Sequence, residues 1–385
     1  MSTVLLKHPV QEVESFLHRF YFNVLYRSFK LESTDFVEVV KKSLRGKCDR
    51  SHNLNLDYIS RVHYKEADHR CAYMYEFSVL HSAVVIHHFL QLLKYEENLI
   101  ERLVSSESFE ICCLGGRSIP EAVGICKIVS DILEKHEEQR SSPLVLKIRV
   151  VNLCKGWSTD IWKLQKLLRK DPDLCNPKKI KLTFQFLEGD LTKFHSERII
   201  NAIRKSDLIT IVKFISELIL PTKAESPNKT LVRSVIKEIF RNMKDEAYLF
   251  FLDNSEGDYY EIVEEGAQLY SNCKLKQARL HEVYTLNTDS LRHETEYLYH
   301  TFEKLCKTHT VVSSGTWKKV KLTGDAPSCA KHPLSKVRIS STSKIEDILK
   351  KQDQKLIEAH ELEIQDLINS FNNIENRDFD FKFFN

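Results

Sequence analysis

The stretch Phe109-Glu110-Ile111-Cys112-Cys113-Leu114-Gly115-Gly116-Arg117-Ser118-Ile119-Pro120-Glu121-Ala122-Val123-Gly124 decides how this chain folds. A mostly apolar run leads into two glycines, and a segment with helical spacing follows. A buried parallel strand enters a tight turn in this way, and the helix after the turn starts with free N–H groups. The pattern is that of a nucleotide-binding turn with one departure. Arg117 and Ile119 stand where such a turn usually has glycine. Side chains there either crowd a ligand or force the backbone onto a new path.

The same alternation continues towards the C-terminus. Residues 121–134, 159–169, 196–205 and 231–242 have helical spacing. Between and after them, residues 144–151, 180–187, 208–212 and 247–253 are short apolar or alternating runs that read as strands. Two further strand candidates, 280–286 and 310–321, enclose a helix at 291–306. Strands alternating with helices imply a parallel sheet covered on both faces. Right-handed crossovers favour a doubly wound layout. The expected class is therefore α/β, with a mostly parallel seven-stranded sheet over residues 105–322.

Towards the N-terminus the rhythm is different. Val13, Phe16, Leu17 and Phe20 repeat at three- and four-residue spacing within a helical stretch at 9–45, and a second stretch covers 70–95. Residues 1–104 thus read as a helical cap. Beyond residue 323 lie a polar linker, a charged amphipathic helix at 345–371 and an acidic-aromatic tail, Asp378-Phe379-Asp380-Phe381-Lys382-Phe383-Phe384. That helix and tail suit docking on the domain or on a protein partner.

Composition narrows the class without naming a partner. Apolar residues make up 42% of the 385, and 10 Gly and 9 Pro are too few for a mostly disordered chain. A net charge of +3 neither requires nor excludes nucleic acid. The ten cysteines contain no Cys-x-x-Cys pair. No secretory leader and no run of about 20 apolar residues is evident, so an intracellular protein of the cytoplasm or nucleus is expected. Cys48, His52, His63, His69 and Cys71 lack paired-knuckle spacing, and no metal site is expected from them.

Short motifs stand at the ends of the expected strands. They are Cys113-Leu114-Gly115-Gly116 with Glu121, Asn152, Gly156-Trp157-Ser158, Gly189-Asp190, Ser216-Glu217-Leu218, and the loop from Asp253 through Gly257 to Tyr259. In this order they resemble the class I, Rossmann-like S-adenosylmethionine-dependent methyltransferases over residues 105–322. Locally they are similar to the fungal large-subunit rRNA uridine-N3 methyltransferases. The resemblance implies S-adenosylmethionine as cofactor, held by Gly115, Gly116, Glu121, Asn152 and Asp190. It implies ribosomal RNA as partner. Uridine N3 carries a proton that must leave, and Glu217 is the carboxylate placed to take it.

The chain departs from the family at Arg117, Ile119, Asn152 and Ser216. Asn152 stands where an acid usually accepts the ribose hydroxyls, and an amide lacks that charge. Each motif also has a plainer reading: a strand–turn–helix junction at Gly115, a turn-forming Asn152, an N-cap at Asp190 and a surface Glu217 opening a helix. Tyr58, Tyr64, Arg70, Tyr73 and Tyr75 form an aromatic-basic cluster that suits either a lid over the site or packing of the cap. The basic runs 178–181 and 318–321 suit an RNA path or a solvated strand face. Three readings stay open: an RNA methyltransferase, a degenerate methyltransferase fold serving as a binding or scaffold module, and another Rossmann-like enzyme using a different nucleotide.

Overall fold

Short branched-residue runs that cannot reach helical length are satisfied here by pairing side by side. A computed structural model describes residues 7, 10–29, 65, 67–115, 117, 119–193, 196–219, 227–255, 257–286 and 309–321. All of them belong to one unit spanning residues 1–326. The expected helices at 291–306 and 345–371 and the acidic-aromatic tail lie outside the described residues.

The strands are β1 (Ser108–Leu114), β2 (Leu144–Asn152), β3 (Ile180–Glu188), β4 (Leu208–Val212), β5 (Tyr248–Asn254), β6 (Cys273–Thr285) and β7 (His309–Lys319). They form one sheet in the order β3-β2-β1-β4-β5-β7-β6. β1 to β5 run parallel, whereas β7 is antiparallel to both β5 and β6. The sheet is therefore mixed: among the described strands, β7 runs against the other six. β1 lies between β2 and β4, so the strand order reverses beside it. In open α/β sheets such a reversal leaves a crevice beyond the carboxyl ends of the strands.

Helices cover both faces. On one face lie α1 (Val10–Phe29), α2 (Ala67–Leu93) and α3 (Glu97–Ser105), together with α4 (Pro120–Lys135) and α5 (Gly156–Leu168). On the other lie α6 (Glu197–Lys205), the short α7 (Ile215–Leu218), α8 (Pro227–Asn242) and α9 (Tyr259–Gln268). Strand alternation sends the adjacent Cys113 and Cys112 into these two different cores. The first helices share the sheet's core directly. Leu17, Tyr21 and Val24 of α1 and Val84, Val85 and Phe89 of α2 are buried in the same cluster as Ile111, Ile148 and Phe250. Tyr21 and Ser82 join α1 to α2 by a buried hydrogen bond of 2.8 Å.

Two element starts and one basic run differ from the sequence reading. β6 starts at Cys273, seven residues before the expected 280, because register shifts at Leu275/Gln277 and Arg279/Glu282 interrupt its alternation. α5 starts at Gly156, so the Gly-Trp-Ser segment is the helix's first turn and not a turn before it. In the basic run at 318–321, Lys318 pairs with Glu246 at 2.6 Å and Lys319 donates to the carbonyls of Phe240, Arg241 and Met243 at the end of α8. These two lysines are engaged within the fold and do not form a solvated face. Among the described residues no helix is long and apolar enough to cross a membrane.

Candidate functional site

The strand ends place their residues around one cleft. Gly115 and Arg117 follow β1; Asn152, Leu153 and Cys154 close β2; Gly189 and Asp190 follow β3; Phe214, Glu217 and Leu218 follow β4. Trp157 from the first turn of α5 completes the wall. The parallel ladder continues into the cleft floor, where Gly115 N–H donates to Val151 C=O at 2.9 Å and Gly189 N–H to Asn152 C=O at 3.1 Å. Of the six residues singled out in the sequence, Gly115, Asn152, Asp190 and Glu217 meet here. Gly116 lies outside the described residues.

Glu121 does not line this cleft. It sits in the first turn of α4 and is buried on the side of α1, where Cys113 hydrogen-bonds to it and its Oε1 has no partner among the described residues. Burial pushes its carboxyl up to about 7. The reason for the misplacement is backbone conformation. Ile119 adopts a left-handed φ of 46° immediately before the helix. This turns Glu121 into the helical face and buries Ile119 in the same core. Ile119 therefore leaves the cleft open, at the cost of a conformation that a β-branched residue rarely takes.

Gly115 needs its lack of a side chain twice over. Its φ is +77°, and a Cβ there would lie 2.1 Å from Cδ2 of Phe214. The Phe214 ring thus rests on the turn. Bonds on both sides of its amide hold Asn152 in place. Its Oδ1 accepts the N–H of Cys154 at 2.8 Å, and its Nδ2 donates to Gly115 C=O at 3.4 Å. Asp190 forms a side-chain turn in which Oδ1 accepts both the N–H and the hydroxyl of Thr192, at 2.9 and 2.5 Å. Its Oδ2 accepts no bond among the described residues.

Glu217 is presented by α7, and Asp253 sets that helix. The buried Asp253 carboxylate accepts Ile215 N–H at 2.8 Å, Ser216 N–H at 3.1 Å, Ser216 hydroxyl at 2.5 Å and Asn254 N–H at 2.8 Å. Ser216, one of the family departures, thus has a definite structural task. Glu217 makes an ion pair with Arg117, whose guanidinium lies 5.2 Å from the Tyr73 ring centre. Tyr73 packs edge-on against Trp157, with ring centres 6.0 Å apart. Arg70 binds Asp160 at 2.6 Å, in a buried pair that joins α2 to α5. Within the aromatic-basic cluster, Tyr73 therefore reaches the cleft wall and Arg70 braces it. Tyr75 is buried in the core, and Tyr58 and Tyr64 lie outside the described residues.

Sequence reasoning treated Arg117 as an obstacle, whereas it pairs with the candidate base. Phe214 and Thr192 were not singled out. An Asp-x-Thr turn signal at 190–192 is present in the sequence and marks the second of these. Among the described residues no cluster of His, Cys, Asp or Glu is arranged to hold a metal ion.

No protein-family model matches the chain, and no curated protein matches it. Among solved structures the chain is similar to a putative methyltransferase from Thermoplasma acidophilum, at 13% identity, over 56% of this chain and 69% of that one, with a TM-score of 0.30. It is also similar to an S-adenosylmethionine-dependent methyltransferase from Clostridium acetobutylicum (11% identity, 59% and 92% covered, TM-score 0.30). A third is from Methanosarcina mazei, described as one of the same class (12% identity, 58% and 98% covered, TM-score 0.31). At these scores the fold assignment rests on the strand order and not on the likeness.

Proposed function

We propose that this chain is an S-adenosylmethionine-dependent RNA methyltransferase acting on N3 of a uridine in large-subunit ribosomal RNA. One observation carries the reading: Gly115, Asn152, Asp190 and Glu217, from the ends of four successive parallel strands, converge on one cleft where the strand order reverses.

The donor set fits an adenosine-bearing cofactor. Asp190 Oδ2 is an acceptor on the cleft wall suited to an exocyclic amine. Asn152 offers an amide at the end of β2, where the resemblance places ribose hydroxyls. S-adenosylmethionine, when bound, supplies an electrophilic methyl group on its sulfonium. The chain's own part is to position the substrate, to exclude water and to move one proton. Phe214, Leu153 and Trp157 give the cleft apolar walls. Glu217, fixed on α7 by Asp253, takes the N3 proton of the uridine. Asp253 is a positioning residue in this scheme.

Calorimetry of the full chain with S-adenosylmethionine and S-adenosylhomocysteine tests the cofactor. Binding that Asp190→Ala weakens at least tenfold is expected, and absence of heat at millimolar ligand sinks the reading. Mapping of modified uridines in ribosomal RNA from a deletion strain tests the substrate. An unchanged set of N3-methyluridines removes the uridine assignment and leaves the cofactor result standing.

A second reading, a binding module without catalysis, has its own observation. Phe214 lies against Gly115, and Arg117 engages Glu217, so side chains of the protein occupy part of the space at the turn. In that case the same titration shows no binding.

A further inference from the structure

The Arg117–Glu217 ion pair joins the two features of the cleft that are least expected together. Arg117 comes from the turn after β1, where glycine is usual, and Glu217 comes from α7 after β4. Both line the cleft, and their side chains are only 14% and 22% exposed. The Tyr73 ring beside the guanidinium limits its access to water. A cation in such a place requires an anion, because a partly buried guanidinium left alone is strongly disfavoured. In this structure the anion is the carboxylate that the proposed chemistry needs for another purpose. A carboxylate engaged by a guanidinium is not available to take a proton from a substrate.

We propose that Arg117 is the receptor for the carboxylate at the amino-acid end of the cofactor, and that Glu217 holds its place until the cofactor arrives. This rests on the proposed function above. The guanidinium is a planar fork that donates to any carboxylate in the same way, so the ligand's carboxylate can displace that of Glu217, and the gain is the difference between the two pairs. The exchange has two consequences. A ligand lacking the carboxylate leaves the Arg117–Glu217 pair intact and gains nothing from it. A ligand carrying the carboxylate releases Glu217, which makes the base available only when the cofactor is in place. Arg117, the residue that breaks the glycine pattern, then becomes the determinant of which adenosine derivative is selected.

The test is calorimetry of the full chain with three probes: S-adenosylmethionine, decarboxylated S-adenosylmethionine and 5′-methylthioadenosine. The wild-type chain is expected to bind the first more tightly than the second, by less than the roughly 10- to 100-fold of a whole charge-assisted contact because Glu217 must be displaced. In Arg117→Gln the two should bind equally. Arg117→Lys should keep part of the preference. Glu217→Gln should bind S-adenosylmethionine more tightly than wild type, since its amide competes less well for Arg117, and should leave the decarboxylated form unaffected. Equal binding of the two sulfonium ligands by the wild-type chain overturns the role of Arg117 and leaves the cofactor reading intact. Absence of binding by all three probes overturns both. The wild-type comparison stands even if a variant does not fold.

Discussion

Glu121 is the residue whose burial has the clearest energetic signature. Its carboxyl is enclosed among α1, α4 and β1, with one oxygen unpartnered among the described residues, and burial raises it from the ordinary range to about 7. Below about pH 4.5 the folded and unfolded chains both hold this proton, and nothing is lost. Between that value and 7 the folded chain keeps a proton that the unfolded chain releases, so stability falls as pH rises. Above 7 the full cost, about 3 kcal/mol, is present. Glu121→Gln removes the charge and keeps the shape. Its melting temperature should exceed that of wild type by several degrees at pH 8 and by much less at pH 5. An equal difference at both values excludes this account. The same residue shows how local conformation escapes sequence reading. Glu121 is legible as an acid opening a helix, but which way it faces depends on the left-handed φ of Ile119, which no residue-type preference signals.

Among the elements, α7 is the smallest and depends most on another. It has four residues, too few for helical propensity to matter, and its N–H groups are held by Asp253 at the end of β5. Asp253→Ala should destabilise the chain by about 3 kcal/mol. Amide exchange at Ile215 and Ser216 should accelerate, while exchange in the centre of β1 changes far less. Unchanged exchange at those two amides refutes the clamp. Short strands bounded by turn residues were the legible ones. β1 to β5 are short, branched and flanked by turn residues, and their expected limits agree with the structure to within a residue or two. β6 was half legible, since its two register shifts move successive side chains out of alternation. The cleft was legible as far as strand ends could be located. The partners of its residues were not, because Asp253 and Ser216, or Arg117 and Glu217, are brought together only by the sheet order.

For the whole molecule, the N-terminal helices are as much a part of the core as the strands. Val13, Leu17, Phe20, Tyr21, Val24 and Leu25 of α1 are almost fully buried. At roughly 2 kcal/mol for each side chain, their burial amounts to about 12 kcal/mol, comparable to the whole stability of a domain. A chain beginning at residue 67 should therefore lack a cooperative melting transition. A transition close to that of the full chain is the result that rules this out. The contacts that fix these helices also span the chain. Glu14 accepts a hydrogen bond from Tyr284, 270 residues later, and His88 meets Ser314 across 226 residues. During synthesis at about 5–20 residues per second, α1 waits about 15–50 s for the strand that carries Tyr284. β1 to β5 emerge within that interval, but the contacts of α1 and α2 with β6 and β7 form only at its end or later. The N-terminal helices, made first, thus complete their contacts only after the last strands of the sheet have emerged.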